Sequence, residues 1–195
     1  MIAIVDYGAG NIRSVKKALE HLGVEAQVTA DPQVIAAAEK IVMPGVGHFC
    51  RCDVLNKNLR ESILGAISRG VPFLGICVGM QWLFGGSTEA PETCGANLFP
   101  GECSRFPAEV KSPHVGWNRI HIHNGSKLMR GVENGAFVYY THSYRAPVVT
   151  ETIASTEYGG VFSAAVENGN VFGVQFHPEK SGPTGLKILE NFCGL

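Results

Sequence analysis

Residues 71–84 read Val-Pro-Phe-Leu-Gly-Ile-Cys-Val-Gly-Met-Gln-Trp-Leu-Phe, and the architecture of the chain follows from how they are parsed. Pro72–Ile76 is a short apolar run bounded by turn formers, which predicts a buried strand. Val78–Phe84 predicts a helix. A strand entering a helix through Gly75-Ile76-Cys77-Val78-Gly79 has the G-x-nucleophile-x-G form of a nucleophile elbow, with Cys in place of Ser. The glycines suit a turn in which neighbouring side chains would clash. A thiol at a helix N-terminus meets the positive end of the helix dipole, which favours the reactive thiolate. Taken alone, the motif fits a buried structural cysteine equally well. Pro72, Gly75 and Gly79 punctuate the stretch, and it is shorter than the roughly 20 residues of a membrane span.

The strand–helix alternation extends toward the N-terminus. Ile2–Tyr7 predicts a strand and Asn11 an N-cap. Ile12, Val15, Leu19 and Leu22 predict the apolar face of a helix closed by Gly23. Glu25–Thr29 predicts a second strand, and Asp31-Pro32 opens a short helix. Lys40–Met43 predicts a third strand, ended by Pro44-Gly45-Val46-Gly47, and a helix follows over Asn58–Arg69, closed by Gly70. Repeated β-α-β units predict an α/β fold with a mostly parallel central sheet and flanking helices. From about Asn97 the pattern becomes short strands: Arg119–His123, Phe137–Tyr140, Thr152–Ser155, Val161–Val166 and Val171–Gln175, with Asn168-Gly169 as a hairpin signal. A last helix is expected over Thr184–Phe192. With no linker or repeat, the expectation is a single 1–195 domain with antiparallel strands added in its second half.

Composition narrows the function classes. The 195 residues are 45% hydrophobic and 17% charged, as in a globular protein. The 16 Lys+Arg against 17 Asp+Glu argue against a chain built to coat nucleic acid or an acidic membrane. The N-terminal MIAIVDYGAG has neither the basic start of a secretory signal nor an Arg/Ser-rich transit character. The six cysteines, at 50, 52, 77, 94, 103 and 193, include no C-x-x-C, and the Cys50-Arg51-Cys52 pair has no second pair to complete a zinc site. A cytoplasmic protein with reduced thiols is expected. Gly8-Ala9-Gly10-Asn11 lacks the third glycine of a dinucleotide fingerprint.

A cysteine nucleophile needs a base, and the base needs an orienting group. Of the seven histidines, His177 stands out in Gln175-Phe176-His177-Pro178-Glu179, at the end of a predicted strand. On extended chain His177 and Glu179 face the same way. A strand placed beside the nucleophile strand would bring Cys77 to them, and the sequence leaves open whether it does.

GICVGMQ at 75–81, PGVGHF at 44–49 and VQFHPEKSG at 174–182 together resemble the class I glutamine amidotransferase family, in its order and spacing and over nearly the whole chain. The resemblance implies that Cys77 attacks the side-chain amide of glutamine, that His177 is general base and acid, and that Glu179 orients it. It implies an oxyanion hole from the Val78 N–H and the Val46–Gly47 loop. Gln81, one helical turn beyond Cys77, would bind the amino-acid end of the substrate with the backbone of Ser143 and Tyr144. Val78 stands where leucine is commoner in the family, a harmless departure because only its N–H is needed.

Four further segments, Asp6–Ile12, Pro44–Gly47, Pro113–Asn118 and Thr141–Arg145, are similar to one branch of that family. Its glutaminase subunits pass ammonia to a (β/α)8-barrel cyclase subunit in histidine biosynthesis. Members serving GMP, anthranilate, carbamoyl phosphate or pyridoxal phosphate synthesis differ there. This implies a heterodimer with no metal or organic cofactor, with Asn11, Trp117, Tyr139 and Lys180 at the mouth facing the cyclase. The alternatives are a glutaminase serving another synthesis, a free-standing cysteine hydrolase, and a non-catalytic binding protein.

Overall fold

The central apolar runs become strands buried at nearly every position, as expected when both faces of a sheet are covered, whereas Ala26–Thr29 at the sheet edge exposes Gln27. In the computed structural model, which describes residues 1–123 and 125–195, the first half runs β1 (Ile2–Val5), α1 (Ile12–His21), β2 (Ala26–Thr29), α2 (Pro32–Ala36), β3 (Lys40–Gly45), α3 (Cys52–Asn58), α4 (Arg60–Ser68), β4 (Phe73–Cys77) and α5 (Val78–Gln81). The second half runs β5 (Ser104–Arg105), β6 (His114–Arg119), β7 (His121–Ile122), β8 (Phe137–His142), β9 (Tyr144–Arg145), β10 (Thr152–Glu157), β11 (Val161–Asn168), β12 (Val171–Val174) and α6 (Gly182–Cys193). An eight-stranded sheet has the order β2-β1-β3-β4-β12-β11-β10-β7. It is parallel from β2 to β12 and antiparallel beyond. α1 packs with α6, and α2 with α4. Two-stranded ribbons, β6–β8 and β5–β9, complete the second half.

The topology that matters is the return of the chain. β12 lies parallel to β4, pairing Val174 with Ile76, so the strand leading to His177 runs beside the strand leading to Cys77. β11 delivers it there through a two-residue turn, Gly169-Asn170, with Gly169 at φ 61°. Asn170 then donates its side-chain amide to the Ile67 and Val71 carbonyls, tying that turn to the end of α4.

Several sequence expectations need correction. Asn11 does not cap α1: it has φ 77° and its side chain makes no capping bond. The helix expected over 58–69 is present as Arg60–Ser68, but a further helix, Cys52–Asn58, precedes it and meets it at Leu59, whose φ of −126° breaks the ladder. The bend lets Arg60 donate to the Gly95 carbonyl at 2.8 Å while Asn56 takes the Trp82 indole N–H at 2.9 Å. The helix expected to reach Phe84 stops at Gln81, because the Leu83 and Phe84 carbonyls accept from Leu98 and Asn97 rather than continuing the turn. The strand expected over 119–123 divides at buried Ile120: β6 pairs with β8, while β7 crosses to β10. The third strand runs on through Pro44 and Gly45, which pair with Ile76 and Cys77.

Candidate active site

Cys77 ends β4 and begins α5 with φ 56° and ψ −108°, a conformation that L-residues rarely adopt. The flanking glycines make this possible. A Cβ on Gly75 would collide with the Gly79 carbonyl, and one on Gly79 with the Met43 carbonyl of β3. Sterics alone therefore fix the elbow. The sulfur is nearly buried and lies 3.7 Å from the Gln175 amide nitrogen.

His177 is held by side chains rather than by strain. Its N–H donates to the Tyr139 carbonyl at 2.8 Å. Ser181 Oγ donates to the His177 carbonyl at 2.6 Å and accepts the Tyr139 N–H at 2.9 Å. His177 Nδ1 meets Glu179 Oε1 at 2.8 Å, with both side chains fully buried. The expected contact is present, but its cause is different. His177 caps a 3₁₀ turn over Pro178–Lys180, and that turn, not extended chain, folds the carboxylate back. Asn11 Nδ2 donates to Glu179 Oε1 and lies 3.4 Å from His177 Nδ1. Burial disfavours a proton on His177, but the Cys77 thiolate and the Glu179 carboxylate outweigh it and raise its pKa. His177 Nε2 is buried and makes no hydrogen bond among the described residues.

Gly47, Cys77, Val78, Gln81, Ser143 and Tyr144 line one cleft of about 180 Å³. Val46 is half-buried and does not line it. Gly47 has φ 112° and no neighbour that a side chain would strike. Gln81 donates to the Tyr144 carbonyl at 2.9 Å and to Gln175 Oε1 at 3.1 Å. Glu89 also lines the cleft and accepts the Phe49 N–H at 2.8 Å. The sequence reasoning missed it, since its irregular segment carries no periodic signal. Gln175 and Ser181 were missed too. Gln175 lies two residues before His177 on extended chain, so the alternation that located the histidine could have located it. No group of three or more His, Cys, Asp or Glu side chains among the described residues could hold a metal ion.

Outside the cleft, Trp117 is exposed to 55% and packs edge-on against Tyr139, its cross-strand partner, at 6.0 Å. Lys180 Nζ sits 5.8 Å from the centre of the Tyr139 ring. Val115 and Phe137 extend this exposed apolar stripe along the β6–β8 ribbon. Asn11, by contrast, is turned toward Glu179.

A strained cysteine elbow beside a buried His–Glu pair, on a mostly parallel sheet, is an arrangement suited to cysteine-dependent acyl transfer. The model of the glutamine amidotransferase class-I family matches residues 3–194, and the chain belongs to that family. It is 47% identical over 196 residues to the imidazole glycerol phosphate synthase subunit HisH of Methanothermobacter thermautotrophicus, covering 100% of this chain and 98% of that protein. The corresponding subunit of Methanosarcina acetivorans is 48% identical over 198 residues, again with 100% and 98% covered. A crystal structure of a glutamine amidotransferase shares the fold with a TM-score of 0.78 at 18% identity, covering 100% of both chains.

Proposed function

We propose that the chain is the glutaminase subunit of an imidazole glycerol phosphate synthase. It hydrolyses glutamine to glutamate and ammonia. The ammonia passes, shielded from solvent, to a (β/α)8-barrel cyclase subunit with which the chain forms a cytoplasmic heterodimer. That partner makes imidazole glycerol phosphate and an aminoimidazole carboxamide ribotide in histidine biosynthesis. The observation that carries the reading is the approach of buried His177–Glu179 to Cys77 across the β4–β12 pair, above a cleft holding Gln81 and Glu89.

The Cys77 sulfur attacks the side-chain amide carbonyl of glutamine. His177 takes the thiol proton and returns it to the departing ammonia, leaving a glutamyl thioester. Water, deprotonated by His177, then releases glutamate and restores the thiol. Glu179, with Asn11, holds the imidazole and stabilises its charged form. The Val78 N–H and the Val46–Gly47 peptide donate to the oxyanion, where one such donor is worth about 10²–10³ in rate. Glu89 and Gln81 receive the substrate's ammonium group, and Ser143 and Tyr144 hold its carboxylate end. The Trp117–Tyr139–Lys180 cluster and the exposed stripe around it suit a docking face for the cyclase.

Gly47, at φ 112° in open space, lets the oxyanion peptide adopt more than one orientation, so docking of the cyclase can select the productive one. The test is glutamine turnover by the chain alone and after addition of the cyclase with its nucleotide ligand. The expected result is weak basal turnover and a rise in kcat larger than any fall in KM. Equal turnover in both conditions would favour a free-standing hydrolase.

A further inference from the structure

The Cys77 sulfur has a neighbour that the hydrolytic triad does not use. Gln175 is fully buried at the end of β12, and its Nε2 lies 3.7 Å from Cys77 Sγ. A side-chain amide is donor at one end and acceptor at the other, so a thiolate is served only if the nitrogen faces the sulfur. The surroundings of Gln175 leave no choice. The Tyr144 carbonyl can only accept, so Gln81 must turn its nitrogen toward it, at 2.9 Å. The second proton on that nitrogen goes to Gln175 Oε1 at 3.1 Å. Gln175 Nε2 is thereby left pointing at the sulfur.

The same carbonyl is held from its other side. His142 Nδ1 donates to Tyr144 O at 2.8 Å. With that proton on Nδ1, neutral His142 accepts at Nε2 from His114 Nδ1, 3.2 Å away, and His114 Nε2 accepts from Asn118 Nδ2 at 3.4 Å. The pattern requires both imidazoles to be neutral. Burial depresses the pKa of His114 to about 4 and that of His142 to about 3. His114 is also clamped between the rings of Tyr140 and Tyr158, at 4.8 and 4.0 Å.

We propose that the buried amide of Gln175 is a further catalytic group that donates to the Cys77 sulfur, oriented by a chain running from Asn118 through His114, His142, the Tyr144 carbonyl and Gln81. This rests on the reading of Cys77 as nucleophile. It gives the thiolate an amide donor where His177 Nε2 makes no hydrogen bond, and makes His142 a positioning residue. The chain begins on β6, whose opposite face carries exposed Val115 and Trp117, so the strand that meets solvent on one side is bonded to the nucleophile's support on the other.

The experiment is alkylation of the full chain by iodoacetamide at one pH, with the rate at Cys77 followed by peptide mass spectrometry and exposed Cys94 as internal reference. A hydrogen bond to a charged group is worth enough for a change of roughly tenfold or more. Gln175→Met is expected to slow Cys77 by about that factor, and Gln175→Glu, which keeps the volume and adds a repelling carboxylate, by more, with Cys94 unchanged. The second variant decides if the first does not fold. His142→Phe is expected to slow Cys77 several-fold and to raise KM for glutamine more than it lowers kcat, through the loss of Gln81 orientation. Folded Gln175 variants in which Cys77 reacts within twofold of the wild type would overturn the inference while leaving the nucleophile in place. A wild-type Cys77 no more reactive than Cys94 would overturn the reading of the nucleophile itself and this inference with it.

Discussion

Cys77 and His177 lie at the carboxyl ends of adjacent parallel strands, yet they are held by opposite means. The nucleophile is fixed by backbone crowding: Gly75, Gly79 and the Met43 carbonyl leave room for one conformation, with Cys77 at φ 56°. The base is fixed by hydrogen bonds, some from its own turn (Glu179, Ser181) and some from far along the chain (Tyr139, Asn11). Support by sterics is written mostly within five residues of sequence, Gly75–Gly79, closed by the Met43 carbonyl of the neighbouring strand. Support by side chains is assembled from segments up to 168 residues apart, as between Asn11 and Glu179. The first kind tolerates no added atom, whereas the second can be dismantled one bond at a time.

The largest expected effects separate the members of the base cluster. His177→Asn removes the group that moves protons and is expected to lower glutaminase kcat by about 10⁶, whereas Glu179→Gln, which only orients and stabilises, is expected to cost about 10⁴. Steady-state kinetics of both variants checks this. Wild-type turnover by Glu179→Gln would make the carboxylate a bystander and end the contrast between the two kinds of support.

On the nucleophile side the effect falls on stability. Gly79→Ala drives a Cβ into the Met43 backbone and is expected to destabilise the chain by about 3 kcal/mol or more. Gly23→Ala, at φ 72° but in open space, is the control and is expected to cost about 1 kcal/mol. Denaturant unfolding reads both, and equal costs would show that crowding does not hold the elbow.

Ser181→Ala tests the base side at a single bond. It removes the bridge between the His177 carbonyl and the Tyr139 N–H and is expected to cost about 1–3 kcal/mol in unfolding free energy, with a fall in kcat at nearly constant KM. A stability loss without any change in kcat would mean that the bridge holds the 3₁₀ turn but not the imidazole.

The smallest effect concerns the neutral histidines of the β6–β8 ribbon. Burial depresses the pKa values of His114 and His142 to about 4 and about 3. Below the ordinary value near 6.5 the unfolded chain binds protons that the folded chain refuses, so stability is full above that value and is lost as pH falls toward 4. Between pH 7 and 5.5 the loss is about 1 kcal/mol per histidine. Unfolding free energies at the two pH values are expected to differ by about 1 kcal/mol less in His142→Phe than in the wild type. An unchanged difference would place a proton on His142 in the folded state and break the hydrogen-bond chain to Gln81.

What could be read in the sequence follows the same division. The parallel half was legible because its central strands are near-continuous apolar runs, its turns carry glycine or Asp-Pro, and the elbow is local. Asp31 caps α2 as expected, by accepting the Gln33 N–H, and Gly23 ends α1 in the left-handed region. The second half was less legible. The β6 strand alternates exposed Val115, Trp117 and Arg119 with inward His114, Gly116 and Asn118, so it carries no apolar run to mark it. Its division from β7 depends on which distant strand lies nearest to Ile120. Asn11 looked like a helix cap because the residue type is right for one, and only the fold reveals the carboxylate that draws its side chain away. Glu89, in an irregular loop, is placed in the cleft by tertiary structure alone.

The central claim, that Cys77 is the glutamine-attacking nucleophile, is tested most directly by reacting the full chain with a diazoketone analogue of glutamine and mapping the adduct by peptide mass spectrometry. The account predicts one adduct, on Cys77, suppressed by excess glutamine and absent after His177→Asn. An adduct on any of the other five cysteines, or one on Cys77 that glutamine does not suppress, would contradict it.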